Sequence, residues 1–212
     1  MIDVDDNMSK SIRDFIETVA PVLEEWSDCE NVSVEKVTDD RMAEKLDTIG
    51  GVDSWNIKQD DMIRGVASRV QWISKKDWTD KPPDTFTIRK SLPSGNKTEF
   101  QKRLDAIRNG ALYPHWTTQA YLDEPGGELL SMGRVRTEDL IRYIDDGEEG
   151  SEYSIKRRDG QPNFFIVNWW RLKEQGIGVR TKKPYKSNGE LRVKADGRQI
   201  GLADFVTDGG ER

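Results

Sequence analysis

The sequence is poor in the residues that build several common kinds of functional site. Its 212 residues include one cysteine, Cys29, and one histidine, His115. A single cysteine excludes an internal disulfide and a cysteine-based zinc cluster, and a single histidine excludes a histidine-rich metal site. No apolar run approaches the ~20 residues of a membrane-spanning helix, and the acidic start lacks the apolar core of a secretory signal. We therefore expect a soluble, cytoplasmic protein with no membrane partner.

Glycine-rich phosphate-binding motifs are also missing. Neither G-x-x-x-x-G-K-[ST] nor G-x-G-x-x-G occurs, which excludes the usual sites for nucleoside triphosphates and dinucleotides. With one cysteine and one histidine, any chemistry must come from carboxylates, lysines, arginines and hydroxyls.

Charge is abundant but unevenly distributed along the chain. Residues 1–61 hold 17 acidic and 6 basic side chains, whereas residues 86–110 hold 2 and 6, and residues 180–198 hold 2 and 7. Such asymmetry permits polyanion binding on one face of a protein with a net charge of −6, although a solvated surface is the simpler reading. The candidate nucleic-acid contacts are Arg89, Lys97, Lys182, Lys183 and Lys186.

Hydrophobic periodicity and capping residues predict the order of helices and strands. An amphipathic helix comes first, with a capping-box-like Ser11 and Asp14 and a kink at Pro21. The further predicted elements are a strand at 32–37, a helix from 39 or 40 to 48, strands at 52–58, 63–73 and 85–91, a helix from the N-cap Thr98 to Gly110, a hairpin of 115–122 and 128–136, a helix at 137–145 capped by Thr137, a strand at 164–167 and a short helix to Gln175.

This order predicts an α+β fold with a mixed β-sheet flanked by helices. Residues 1–38 form the N-terminal amphipathic helix and strand, and residues 39–145 form the α+β core. Residues 146–212 are a C-terminal extension that carries the basic strip.

Three acids surround the junction between a predicted helix and a predicted strand. Glu44 and Asp47 are three residues apart and lie on roughly one helix face, and Asp53 opens the strand after Gly50 and Gly51. Mg²⁺ or Mn²⁺ suits such a place because it takes oxygen ligands and needs only one or two carboxylates. A metal-bound water there can attack a phosphodiester, with lysine or arginine balancing the developing charge.

The stretch AEKLDTIGGVDSW (residues 43–55) resembles the helix-to-strand segment of the PD-(D/E)XK nuclease superfamily. Together with GVASRVQW, DTFTIR and SGNKTEF, it is also similar to small nuclease-like proteins of phages and mobile elements. The resemblance covers residues 39–136 and implies an αβββαβ, restriction-endonuclease-like core. It makes Asp53 the aspartate of the motif and Glu44 or Asp47 the helix acid.

The next strand departs from the superfamily pattern. GVASRVQW (residues 65–72) contains neither an acid nor a lysine, so Arg69 and Gln71 are the candidates for the missing roles, with Arg89 as a substitute for Arg69. Arg69 and Gln71 share parity along the strand and therefore face one side, where a purely structural pairing is an equal possibility.

Two functions from different classes follow from these observations. The first is an Mg²⁺-dependent, nuclease-like protein of viral or mobile-element origin that acts on DNA phosphodiesters, in an active or a degenerate form, with Asp53, Arg69, Gln71 and Glu44 as the catalytic candidates. The second is a non-enzymatic interaction or assembly module with the same fold, whose partner is a protein or a second copy of the chain. The missing acid on the 65–72 strand favours the second.

Overall fold

The computed structural model describes the backbone of residues 4–26, 33–36, 54–57, 63–73, 82–92, 94–147, 154–155 and 162–182. Side chains are described for residues 9–26, 65–73, 82–92, 94–147 and 162–182. The predicted helix at 39–48 lies outside these ranges. The described chain combines helices with two sheets whose strands are antiparallel in every pair except one, which confirms the α+β class.

The described helices and strands have the following bounds. The helices are α1 (Val4–Asp14), α2 (Ala20–Glu25), α3 (Glu99–Arg108), α4 (Thr137–Asp146) and α5 (Trp169–Glu174), and a π-helical segment, Phe15–Val19, joins α1 to α2. The strands are β1 (Ser33–Lys36), β2 (Ser54–Ile57), β3 (Ile63–Trp72), β4 (Thr85–Ser91), β5 (Trp116–Leu122), β6 (Leu129–Arg136), β7 (Ser154–Ile155), β8 (Asn163–Asn168) and β9 (Val179–Lys182).

The larger sheet is mixed, as the sequence predicts. Its described strands run in the order β1-β2-β3-β5-β6-β9, and all neighbours are antiparallel except β3 and β5. The parallel pair requires a crossover, which contains β4 and α3. A register that pairs Val66 with Trp116 fixes which residues of the two central strands share a face.

The third strand of the predicted αβββαβ order does not join this sheet. β4 has the predicted bounds, but it pairs with β8 in a second, antiparallel sheet of order β4-β8-β7. Its sequence accounts for the difference, since Phe86 and Ile88 pack into a core shared with β8 and the following helix, where Val167 and Trp169 are also buried.

The N-terminal helical segment covers one face of the larger sheet. Its buried side chains pack against one face of β3, β5 and β6, and the cluster comprises Phe15, Val19, Ala20, Val22, Leu23, Trp26, Val66, Ala120, Leu122 and Met132. The helix is not regular: Pro21 has no N–H to donate, and the turn immediately before α2 is π-helical. Ile16, which regular spacing places on the buried face, lies in this segment and is 53% exposed.

Asp14 links this helix to the sheet by hydrogen bonds and does not cap the helix. The helix already begins at Val4, so the predicted capping box at Ser11 and Asp14 is wrong. The buried Asp14 carboxylate accepts hydrogen bonds from Trp72 Nε1 at 2.6 Å and from the backbone N–H of Gly126 at 2.9 Å. It therefore links the helix to the end of β3 and to the turn between β5 and β6.

The carbonyl oxygen of Trp26, at the end of this helical segment, accepts hydrogen bonds from side chains of β6 and of the edge strand β9. Trp26 O accepts hydrogen bonds from Arg134 of β6 at 3.2 Å and from Arg180 of β9 at 2.8 Å. Cations are favourable at a helix C-terminus because unpaired carbonyls concentrate negative charge there. The Arg134 guanidinium also lies over the rings of Trp26 and Trp116, at 5.6 Å and 4.4 Å.

The second sheet, α3, α4 and α5 cover the other face. The core on this side comprises Phe86, Ile88, Tyr121, Leu130, Val135, Leu140, Ile141, Ile144, Val167, Trp169 and Leu172. Trp169 is 2% exposed and lies flat against β6, where a Cβ on Gly133 would stand 2.5 Å from Trp169 Cε2. Glycine at 133 is therefore what allows the indole this close to the strand.

The predicted N-cap is confirmed for α3 and is wrong for α4. Thr98 caps α3 in a full capping box with Gln101, and Gly110 follows the helix with φ +62°, as predicted. Thr137 does not cap α4: β6 runs directly into this helix, and the Thr137 hydroxyl pairs with that of Thr117 at 2.9 Å. Of the helices described, none has both the length and the apolar character needed to cross a bilayer.

Candidate functional site

A group of polar side chains lies between the two sheets, and we call it the inter-sheet polar cluster. Its members are Arg69, Gln71, Thr87, Arg89, Glu99, Arg103 and Gln119. Arg69 and Gln71 both point to this side of β3, as the strand alternation predicts, while Val70 between them packs toward the N-terminal helix. The register places Arg69 beside Gln119.

Three side chains, of which Gln119 and Glu99 belong to the cluster, form hydrogen bonds with the backbone at the open edge of β4. Thr85 O accepts from Tyr121 Oη at 3.0 Å, the Thr87 N–H donates to Gln119 Oε1 at 3.4 Å, and the Arg89 N–H donates to the Glu99 carboxylate. An unpaired strand edge leaves backbone groups without partners and invites association with other chains. Side chains from β5 and α3 thus replace a neighbouring strand.

An ion network joins β3 to α3 at the centre of the cluster. Glu99 Oε2 lies 2.8 Å from Arg69 Nη2, and Glu99 Oε1 lies 2.7 Å from Arg103 Nη2. The Arg103 side chain is 2% exposed, whereas those of Arg69 and Glu99 are 24% and 21% exposed. The network therefore runs from the interior to a partly open end.

The positive charge of the cluster exceeds its negative charge. Burial alone raises the pKa of Glu99, but the charges of Arg103, Arg69 and Arg89 and the Arg89 N–H outweigh it and hold this pKa below its ordinary value. Glu99 is therefore ionised at neutral pH. Within the described part of the chain, three guanidiniums face one carboxylate here, which leaves a surplus of two positive charges.

The described cluster does not fit a divalent metal. Both Glu99 oxygens pair with arginines, and Gln71 Oε1 accepts from Gln119 Nε2 at 2.9 Å. The described residues contain no group of three or more His, Cys, Asp or Glu side chains able to hold a metal ion. The proposed ligands Glu44, Asp47 and Asp53 lie outside the described residues.

The structure divides the candidate nucleic-acid contacts between different places. Arg89 belongs to the cluster. Lys97, which precedes α3, forms an exposed ion pair at 2.6 Å with Asp105 of that helix. Lys182 pairs with Glu25, on the side of the larger sheet that carries the N-terminal helix. Lys183 and Lys186 lie outside the described residues.

Sequence reasoning missed several members of the cluster, namely Thr87, Glu99, Arg103 and Gln119. Glu99 follows an N-cap directly, where acids are common because they complement the helix dipole. Gln119 lies in the middle of the strand WTTQAYL and is 2% exposed, and a glutamine is seldom fully buried unless its amide is hydrogen-bonded.

Comparisons with known proteins add no family assignment. No protein-family model, curated protein or solved structure matches this chain.

Proposed function

We propose that this chain is a nuclease-like protein that binds the phosphodiester backbone of DNA at the inter-sheet polar cluster. The observation that carries the proposal is the surplus of positive charge around Glu99 among the residues that the structure describes. Guanidinium groups match phosphate oxygens in geometry and charge, and they remain charged at any physiological pH. The partly open end at Arg69 is where a phosphate reaches them.

A purely structural role explains only part of the cluster. Pairing the edge of β4 accounts for Gln119 and Glu99, and Arg103 alone suffices to neutralise Glu99. Arg69 and Arg89 bring two further charges into a half-buried place, where charged groups are costly to desolvate. An anionic ligand would balance the two positive charges that Glu99 leaves uncompensated in the described part of the chain.

Replacing Arg69 by glutamine is expected to weaken DNA binding about 10- to 100-fold, because a charge-assisted hydrogen bond contributes about 1.5–3 kcal/mol. The slope of log affinity against log salt should fall by about one, as for the loss of one phosphate contact. Fluorescence anisotropy with labelled single-stranded and duplex oligonucleotides measures both quantities.

Arg142→Gln is the matched control for this experiment. Arg142 also pairs with a glutamate, Glu138 at 2.6 Å, but on α4 and with a side chain 63% exposed. We expect this variant to bind DNA like the unmodified protein. Equal losses in both variants, or no loss in Arg69→Gln, would contradict the proposal.

The hydrolytic form of the proposal places Mg²⁺ or Mn²⁺ on Asp53 with Glu44 or Asp47. Asp53→Ala should then abolish metal-dependent DNA cleavage while changing the free energy of unfolding by less than ~1 kcal/mol, as at an exposed polar position. Asp145→Ala, which removes an acid paired with Arg108 on the described surface, serves as the control in a plasmid-nicking assay. Undiminished cleavage by Asp53→Ala rules out this form.

The non-enzymatic module remains the second candidate. It is favoured because the Glu99 oxygens pair with arginines and Gln71 Oε1 accepts from Gln119, so these oxygens are not available to a metal ion. It predicts no binding of Mg²⁺ or Mn²⁺ at millimolar concentration in titration calorimetry. Heat of binding that disappears in Asp53→Ala decides against the module.

A further inference from the structure

The surplus positive charge of the described cluster lies on side chains that are largely buried. The side chains of Arg69 and Arg103 are 24% and 2% exposed, whereas Lys97 is 70% exposed but already paired with Asp105. Duplex DNA is stiff over about 150 base pairs and presents its phosphates on the outside of a rod. Arg69, which is only partly exposed, is therefore more accessible to a flexible single strand than to a duplex.

An aromatic ring lies beside these arginines. The guanidinium carbon of Arg69 is 5.4 Å from the ring centroid of Phe164, and the register of the second sheet pairs Phe164 with Arg89. Phe164 thus stands next to two of the three arginines. Single-stranded nucleic acid is held where cationic side chains contact its backbone and its exposed bases stack on aromatic rings.

The backbone that carries this ring is paired on both sides. β8 is the middle strand of the second sheet, and Phe164 pairs with Arg89 on one side and with Ile155 on the other. Because this backbone is already ordered, only the side-chain torsions of Phe164 remain to be fixed when a base stacks on the ring. The neighbouring Phe165 faces away and packs on Phe100, with ring centroids 4.9 Å apart.

We propose that the ligand of this site is single-stranded DNA, whose phosphates meet Arg69 and Arg89 and whose adjacent base stacks at Phe164. This inference rests on the proposed function and specifies its substrate class. It assigns to Phe164 a contact that duplex DNA, with its bases already stacked, does not make.

The test compares a single-stranded oligonucleotide with a duplex of the same length by fluorescence anisotropy. The unmodified protein should bind the single strand at least about tenfold more tightly. Phe164→Leu should weaken single-strand binding about 5- to 100-fold, the range for loss of one stacked base, and Phe164→Trp should preserve it.

Trp170→Leu is the matched control, because Trp170 also lies under a guanidinium, that of Arg171 at 5.0 Å, but on α5. It should leave single-strand binding unchanged. Equal affinity for both DNA forms, with a loss in Arg69→Gln, overturns this inference and leaves DNA binding intact. Undiminished single-strand binding by a folded Phe164→Leu overturns the stacking role, and binding of neither DNA form refutes the proposed function as well. Should Phe164→Leu fail to fold, the strand preference of the unmodified protein and Phe164→Trp decide.

Discussion

Replacing Glu99 by glutamine is expected to lower the free energy of unfolding by about 3–5 kcal/mol, the usual cost of breaking a buried ion pair from one side. Glutamine keeps the shape and an oxygen for the Arg89 N–H, but it leaves the guanidinium of Arg103 buried without its counter-charge. Urea denaturation followed by circular dichroism measures the change. Asp105→Asn, which breaks the exposed ion pair with Lys97 on the same helix, should cost less than about 1 kcal/mol.

The pH dependence of stability provides an independent check on Glu99. Its pKa in the folded protein lies below the ordinary value of 4.5, so the ionised carboxylate stabilises the fold above that pH. This contribution is lost as the pH falls through the lowered folded-state pKa. Glu99→Gln should therefore lose less stability on acidification than the unmodified protein, and identical acid profiles would contradict the assignment.

The contact between Trp169 and Gly133 should produce the second large effect. Trp169→Ala is expected to cost about 3–5 kcal/mol, because a fully buried indole packed against Phe86 and Tyr121 is replaced by a cavity. Gly133→Ala should cost about 1–3 kcal/mol, since its Cβ would stand 2.5 Å from Trp169 Cε2.

A double-mutant cycle separates this contact from other effects. With Trp169 truncated to alanine, the added Cβ at position 133 meets no indole, and Gly133→Ala should then cost far less than in the unmodified background. Additive losses in the double variant would show that the glycine is needed for another reason.

Local signals were enough to predict single elements. Thr98, Gln101 and Gly110 predicted both ends of α3, because a capping box and a residue with positive φ act within one turn. The alternation in β4 predicted its bounds for the same reason. Which sheet β4 joins could not be predicted, since its partner β8 lies about 80 residues later and no local pattern specifies strand pairing.

Only those site residues that lie on a single strand could be predicted from the sequence. The parity of Arg69 and Gln71 placed both on one face of β3, and the structure brings them together through Thr87 and Gln119. Glu99 comes from a helix that the chain forms 30 residues later, so its approach to Arg69 depends on the crossover and not on local spacing. Tertiary packing therefore assembled the part of the cluster that sequence reasoning missed.

The hydrogen bond from Arg180 to Trp26 O bears on how the chain is synthesised. The two residues are 154 positions apart. The hydrogen bond to the carbonyl that ends the N-terminal helix can therefore form only after most of the chain has left the ribosome. The parallel strands β3 and β5 add a delay of their own, since Val66 pairs with Trp116, 50 residues on (116 − 66). Long-range pairing of this kind slows folding and leaves apolar surface exposed in nascent intermediates. Truncation before β9 would remove both the Arg180 hydrogen bond to Trp26 O and the strand that pairs with β6.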